Sequence, residues 1–193
     1  MPVPSPLNRH QRRSIRLPDY DYSQPGAYFV TLCAHERETL FGDVVDDVMR
    51  LNDYGEIVVA VWDDLPGHYS HVELDAFVIM PNHVHGIIVI ADNAVGARHA
   101  SPLQSRPTLG IIVGSYKSAV TKRINELRHT PGVSVWQRNY YEHVVRSEHE
   151  LNTIRAYIQN NPLRWALDHD NPINAPRLSS SDTVDQYLRE AGL

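Results

Sequence analysis

The sequence contains a single cysteine, Cys33. One thiol excludes an internal disulfide and any metal site built from cysteines alone. Long apolar runs are also missing. The longest, Ile57 to Trp62 and Gly86 to Ala91, are far too short to span a bilayer. No apolar stretch follows the N-terminal arginines, so no signal peptide is expected, and the protein is expected in the cytoplasm. Repeats and low-complexity tracts are absent. An excess of positive charge is missing too: the net charge of the 193 residues is −5. Taken alone, that sum argues against a nucleic-acid partner.

The sum hides strong local differences. Residues 1–16 hold four arginines and no acid. Residues 36–75 hold eleven acids against two arginines, and residues 101–129 hold five basic side chains against one acid. The overall sign therefore does not decide the partner. The length suits one domain with its own core. We divide it into a basic arm at 1–26, a folded domain at 27–166 and a polar, proline-rich tail at 167–193.

Ala27–Ala34 is aromatic and β-branched and predicts a strand. Val44–Leu65 spaces its apolar residues roughly as a helix does, with Gly55 as a weak point. Val72–Met80 and His83–Ala91 predict two strands joined at Pro81-Asn82, an antiparallel hairpin. Thr108–Arg128 predicts a helix, Val135–Val145 a strand and Ser147–Asn161 a further helix. In that last helix Ser147 and Glu150 form a capping box, and Pro162 closes the end. This order predicts an α+β fold, an antiparallel sheet with flanking helices.

Two features carry chemistry. His83 and His85 are two apart on a strand, so both imidazoles project from one face and form a natural metal pair, while Val84 points to the other. With eleven histidines in the chain, a hairpin that merely carries two of them is the competing explanation. Tyr157 and Asn161 are four apart on a helix and share a face; in isolation, packing and helix termination are the more usual explanation of such a pair. Together, the four side chains are what attack on a phosphodiester requires. A hard divalent ion polarises a phosphate oxygen and a tyrosine hydroxyl attacks phosphorus. Histidine and amide donors suit Mg²⁺ or Mn²⁺ without excluding zinc.

Val78-Ile79-Met80-Pro81-Asn82-His83-Val84-His85 resembles the histidine–hydrophobic–histidine (HUH) motif of single-tyrosine transposases. Trp136-Gln137-Arg138-Asn139-Tyr140-Tyr141-Glu142-His143, followed by Tyr157-Ile158 and Asn161-Pro162, resembles the C-terminal half of REP-associated tyrosine transposases. Arg12-Arg13-Ser14-Ile15-Arg16-Leu17 and Tyr28-Phe29-Val30-Thr31 resemble their N-terminal part, so the likeness spans about residues 12–166. The resemblance implies a ferredoxin-like sheet. It also implies an enzyme that nicks and rejoins single-stranded DNA beside a hairpin, with a divalent metal and a 5′-phosphotyrosine link.

By motif position, the resemblance implies His83 and His85 as metal ligands, Tyr157 as nucleophile and Asn161 as third ligand. Many members of the wider superfamily carry Gln at that last position, and Gln159 and Asn160 are the fallbacks here. Tyr140 and Tyr141 compete for the nucleophile role from a strand. Arg12, Arg13, Arg16, Lys117, Lys122 and Arg123 are candidates for phosphate contacts. The expected partner is hairpin-bearing single-stranded DNA, with the protein a monomer or homodimer. The alternatives are a domesticated hairpin-binding protein without catalysis and a replication-initiator-type nickase. A histidine-triad hydrolase would want a histidine at Ile87. The basic helix is expected on the histidine side and the acidic block away from it.

Overall fold

The computed structural model describes residues 17, 19–92, 107–168, 170–174, 186–189 and 191. The basic arm with Arg12, Arg13 and Arg16 lies outside the described residues. The first strand, β1 (Gly26–Cys33), is followed by a 3-10 turn at His35–Arg37. The hairpin β2 (Gly42–Val45) and β3 (Val48–Leu51) comes next, then helices α1 (Asp53–Asp63) and α2 (Leu65–His68). The strands β4 (Val72–Met80) and β5 (His83–Ile90) precede helix α3 (Leu109–Leu127). Strand β6 (Tyr141–Val145), helices α4 (Glu148–Gln159) and α5 (Asn161–Arg164), and a 3-10 turn at Trp165–Leu167 complete the named elements.

Four strands form one antiparallel sheet in the order β4-β5-β1-β6. The fold is α+β, as the element pattern implied. Strand β1 lies inside the sheet, and its residues Phe29 to Cys33 are buried on both faces. Tyr28, Val30 and Leu32 point to one face with Val84, Ile88 and Ile90 of β5. There they meet Val58, Val61 and Trp62 of α1 and Leu109, Ile112, Tyr116 and Val120 of α3. Phe29 and Ile87 point to the other face, where they meet Tyr141 of β6 and Ile154, Tyr157 and Ile158 of α4. Trp62 lies flat over the sheet and stacks on Phe77, ring centroids 4.4 Å apart. Only glycine fits beneath it: a Cβ on Gly86 would stand 2.5 Å from the indole.

Several expectations need correction. The stretch expected as one helix over Val44–Leu65 opens as the β2–β3 hairpin. Asp46 and Asp47 both adopt left-handed backbone (φ 50° and 61°), the requirement of a two-residue hairpin turn, and aspartate tolerates that region. Helix formation begins after Asn52, whose side chain accepts from the Tyr54 and Gly55 N–H groups, each at 3.0 Å. Gly55 is there for space: a Cβ would come within 2.4 Å of the Phe41 carbonyl. The strand expected over Val135–Val145 is only Tyr141–Val145, Trp136 making a lone bridge to Ala34.

Ser147 caps α4 as expected, accepting from the Glu150 N–H at 3.1 Å. The Glu150 carboxylate turns instead to the Arg146 N–H (2.5 Å) and His143 (2.6 Å), so the reciprocal half of the capping box is missing. Pro162 does not end helical structure. It sits in the first turn of α5, and the break at Asn160 re-aims the chain so that Asn161 is buried. In the stretch expected as a tail, Asp168, Asp170 and Asn171 are buried and Leu188 packs on the α4 side of the sheet.

Candidate active site

The β4–β5 register sets the histidines. His83 stands opposite Met80 and Cys33, and His85 opposite Val78 and Thr31. Both side chains leave β5 on the face that carries Phe29 and Ile87, while Val84 enters the opposite core. Across that face α4 presents Ile154, Tyr157 and Ile158, which its helical period places on one stripe. Phe29 fixes the spacing, stacking on His85 with ring centroids 5.5 Å apart and meeting Tyr157 edge-on at 6.2 Å.

Three of the expected site residues touch directly. Nε2 of His83 and Nε2 of His85 are 3.1 Å apart, and the Tyr157 hydroxyl is 3.3 Å from the same His85 nitrogen. Asn161, the fourth, influences the titration of both His83 and Tyr157. Its Oδ1 is buried and without a partner. The outward nitrogens of the two imidazoles are also held. His83 Nδ1 is 2.8 Å from Asn82 Oδ1, and His85 Nδ1 is 2.8 Å from Thr31 Oγ1.

Electrostatics follow from burial. His83 is pushed down to about 3, first by loss of solvent and then by the Arg37 cation, with Asn161 opposing. His85 is likewise lowered by burial and by His83. Both rings are therefore neutral at physiological pH, the form in which an imidazole offers a lone pair to a metal. The Tyr157 phenol is raised, by burial and then by Asp168, with Asn161 and Arg164 opposing. A phenol so placed needs a nearby positive charge, or a proton acceptor at the leaving group, before it attacks.

The donor set fits a divalent ion in one respect that does not depend on motif. Two nitrogens bound to one metal at right angles, each at about 2.1 Å, lie about 3 Å apart, close to the observed 3.1 Å. The orphaned Asn161 oxygen is an acceptor that a cation would satisfy. Among the described residues, no trio of His, Cys, Asp or Glu side chains gathers at metal-binding distance. Two imidazoles and one amide oxygen are the donors these residues would offer such an ion.

The other candidates lie elsewhere. Lys117, Lys122 and Arg123 stand on α3, which packs on the sheet face opposite the histidines and beside α1. The basic helix and the acidic helix thus share the far side, and the expected charge separation between the two faces is not what the fold produces. Lys117 Nζ donates to the carbonyls of Gln137 (2.6 Å) and Arg138 (3.2 Å), Lys122 lies 3.9 Å from Glu126, and Arg123 pairs with Asp64 at 3.1 Å. Tyr140 packs against the far core, and Tyr141 is buried edge-on to Phe29 at 6.2 Å. Gln159 and Asn160 are exposed, and Asn160 donates back to the Ala156 carbonyl at 2.8 Å. Thr31, Asn82, Arg37 and Asp170 surround the histidines without having been singled out. Only Asn82, adjacent to His83, carried a local signal.

No family model matches the chain. It is 43% identical over 169 residues, 82% of its own length and 92% of the other's, to an uncharacterised protein of Haemophilus influenzae strain Rd. It is 23% identical over 152 residues, 75% of its length and 74% of the other's, to a protein of the same strain named "Putative REP-associated tyrosine transposase". Among solved structures, a REP-associated tyrosine transposase bound to a REP hairpin shares the fold, with TM-score 0.50 and 17% identity over 77% of this chain and 73% of that one.

Proposed function

We propose that the chain is a REP-associated tyrosine transposase, as its likeness to a protein of that name and to a solved one supports, and that it nicks and rejoins single-stranded DNA beside a hairpin, with Tyr157 as the nucleophile. The observation that carries this is the approach of the Tyr157 hydroxyl to within 3.3 Å of His85, whose Nε2 faces that of His83. Tyr157 Oη forms a bond to phosphorus as the bond to the 3′ oxygen breaks, and the phenol proton passes to that departing oxygen. The products are a 5′-phosphotyrosine and a free 3′ hydroxyl, which reverses the step when strands rejoin. His83, His85 and Asn161 would hold Mg²⁺ or Mn²⁺, which would supply positive charge to the phosphodiester. The hairpin bound by the solved relative is the substrate class we assign here.

The burial of Tyr157, 5% exposed with the Tyr187 ring 4.7 Å away, favours a second reading in which hairpin DNA is bound and not cut. One experiment separates them. The protein is incubated with end-labelled single-stranded hairpin DNA and Mn²⁺, and a denaturing gel is inspected for a covalent band. A band that disappears in Tyr157→Phe supports the transposase, binding without any band supports the second reading, and a band that persists in Tyr157→Phe removes Tyr157 as nucleophile.

A further inference from the structure

Three segments far apart in sequence converge behind His83: the 3-10 turn at His35–Arg37, the β4–β5 turn and the stretch after α5. Their meeting point is Asn82, which is 1% exposed. Its amide nitrogen donates to the main-chain carbonyls of Asp170 at 2.6 Å and Arg37 at 3.2 Å. Carbonyl oxygens only accept, so the NH₂ end of the amide must face them. The orientation of Asn82 is thereby settled by its surroundings, and its Oδ1 faces His83 Nδ1 at 2.8 Å. That oxygen is also only an acceptor. A neutral His83 must then carry its hydrogen on Nδ1 and its lone pair on Nε2, toward His85.

The two carbonyls are themselves held in place. The Arg37 guanidinium and the Asp170 carboxylate form an ion pair that joins the two segments bearing them. The Asp170 carboxylate also lies 4.0 Å from His83 Nδ1, on the same outward side of the ring. A hydrogen on Nδ1 is favoured by both neighbours.

We infer that Asn82, locked by the Arg37 and Asp170 carbonyls, is a positioning residue that holds His83 in the Nδ1–H tautomer and so aims its Nε2 lone pair at the metal position. Asp170 is on this account part of the active site, since it supplies one of the two carbonyls. The metal role of His83 is taken from the proposed function; the tautomer is not. Partners of this kind fix ring orientation as well as proton position, and their loss typically weakens metal affinity about 10- to 100-fold.

The test has two readouts on the full chain. Long-range ¹H–¹⁵N correlation spectra of the metal-free protein report which ring nitrogen is protonated, with His83 assigned by its absence in His83→Gln. Mn²⁺ affinity is read from the free-ion electron paramagnetic resonance signal. The wild type is expected to show His83 as Nδ1–H. Asn82→Ala is expected to move His83 toward the Nε2–H form and to raise the Mn²⁺ dissociation constant about 10- to 100-fold. A wild-type His83 protonated on Nε2 overturns the inference, and that measurement stands even if Asn82→Ala does not fold. Asn82→Ala with an unchanged tautomer and unchanged Mn²⁺ affinity overturns it as well. If the wild type takes up no Mn²⁺, the metal reading of the site fails, and the tautomer spectrum alone upholds or overturns the role of Asn82.

Discussion

Asn161 Oδ1 is buried with no hydrogen-bond partner, and Asn161 opposes the upward push that burial gives the Tyr157 phenol. The nucleophile candidate and the unsatisfied acceptor are thus neighbours on either side of the break between α4 and α5. A buried acceptor left alone costs about 1–3 kcal/mol, so a cation bound at this position would stabilise the fold.

Metal addition is therefore expected to raise the melting temperature. Mn²⁺ at one hundred times its dissociation constant should add about 2.7 kcal/mol to the unfolding free energy. Asn161→Ala should lose most of that increment and most of the covalent adduct. Scanning calorimetry with and without chelator measures the first effect and the gel assay the second. An equal metal-induced shift in wild type and Asn161→Ala would remove Asn161 from the ligand set.

Tyr157→Phe removes one hydroxyl and leaves the ring that packs on Phe29 and Tyr187. The expected result is complete loss of covalent capture with hairpin affinity changed less than about twofold, since phosphate and base contacts elsewhere carry the binding. Fluorescence anisotropy at fixed salt provides the comparison.

Gly86→Ala tests the packing of the far face. The added methyl meets the Trp62 ring at 2.5 Å, with Phe77 at 3.0 Å on the same spot. Overpacking of this kind costs about 1–3 kcal/mol. Urea unfolding should show a lower midpoint with the slope unchanged, and Trp62 fluorescence should report the displaced indole.

The Asp75 carboxylate is lowered, first by its hydrogen bonds to Arg155, with burial opposing. A lowered folded-state value means that the pair contributes stability above the ordinary carboxylate range and that this contribution is lost as pH falls through the folded value. Asp75→Asn should therefore be less stable than wild type at pH 7, and the gap should close in acid. Thermal melts from pH 7 down to pH 3 would follow it. A gap that stays constant across that range would show that the bridge joining α4 to β4 contributes nothing through charge.

The site was legible in sequence where local periodicity sufficed. Alternation in β5 put His83 and His85 on one face, and the helical stripe of α4 put Tyr157 over them. The hairpin at 42–51 was not legible, because Val44, Val48 and Leu51 meet a helical spacing as well as a strand one, and Asp46-Asp47 lacks the glycine that marks most such turns. The burial of Asn161 depends on a break that Pro162 suggests but does not aim. The enclosure of His83 by Arg37 and Asp170 is a purely tertiary event: an acid 87 residues downstream cannot be tied to a histidine by any local pattern. The placement of α3 failed for a related reason. Its exposed lysines and arginine gave its polarity, but only the sheet decides which side it covers.

The sheet keeps two sets of side chains apart, one under α1 and α3 and one under α4. Substitutions at Val58, Ile112 or Val120 alter how long the fold survives without re-aiming an imidazole. Phe29 has no such freedom, since it touches His85, Tyr141 and Tyr157 at once. The same four strands thus carry two separate packing tasks, one that holds the fold together and one that sets the spacing of His85 and Tyr157.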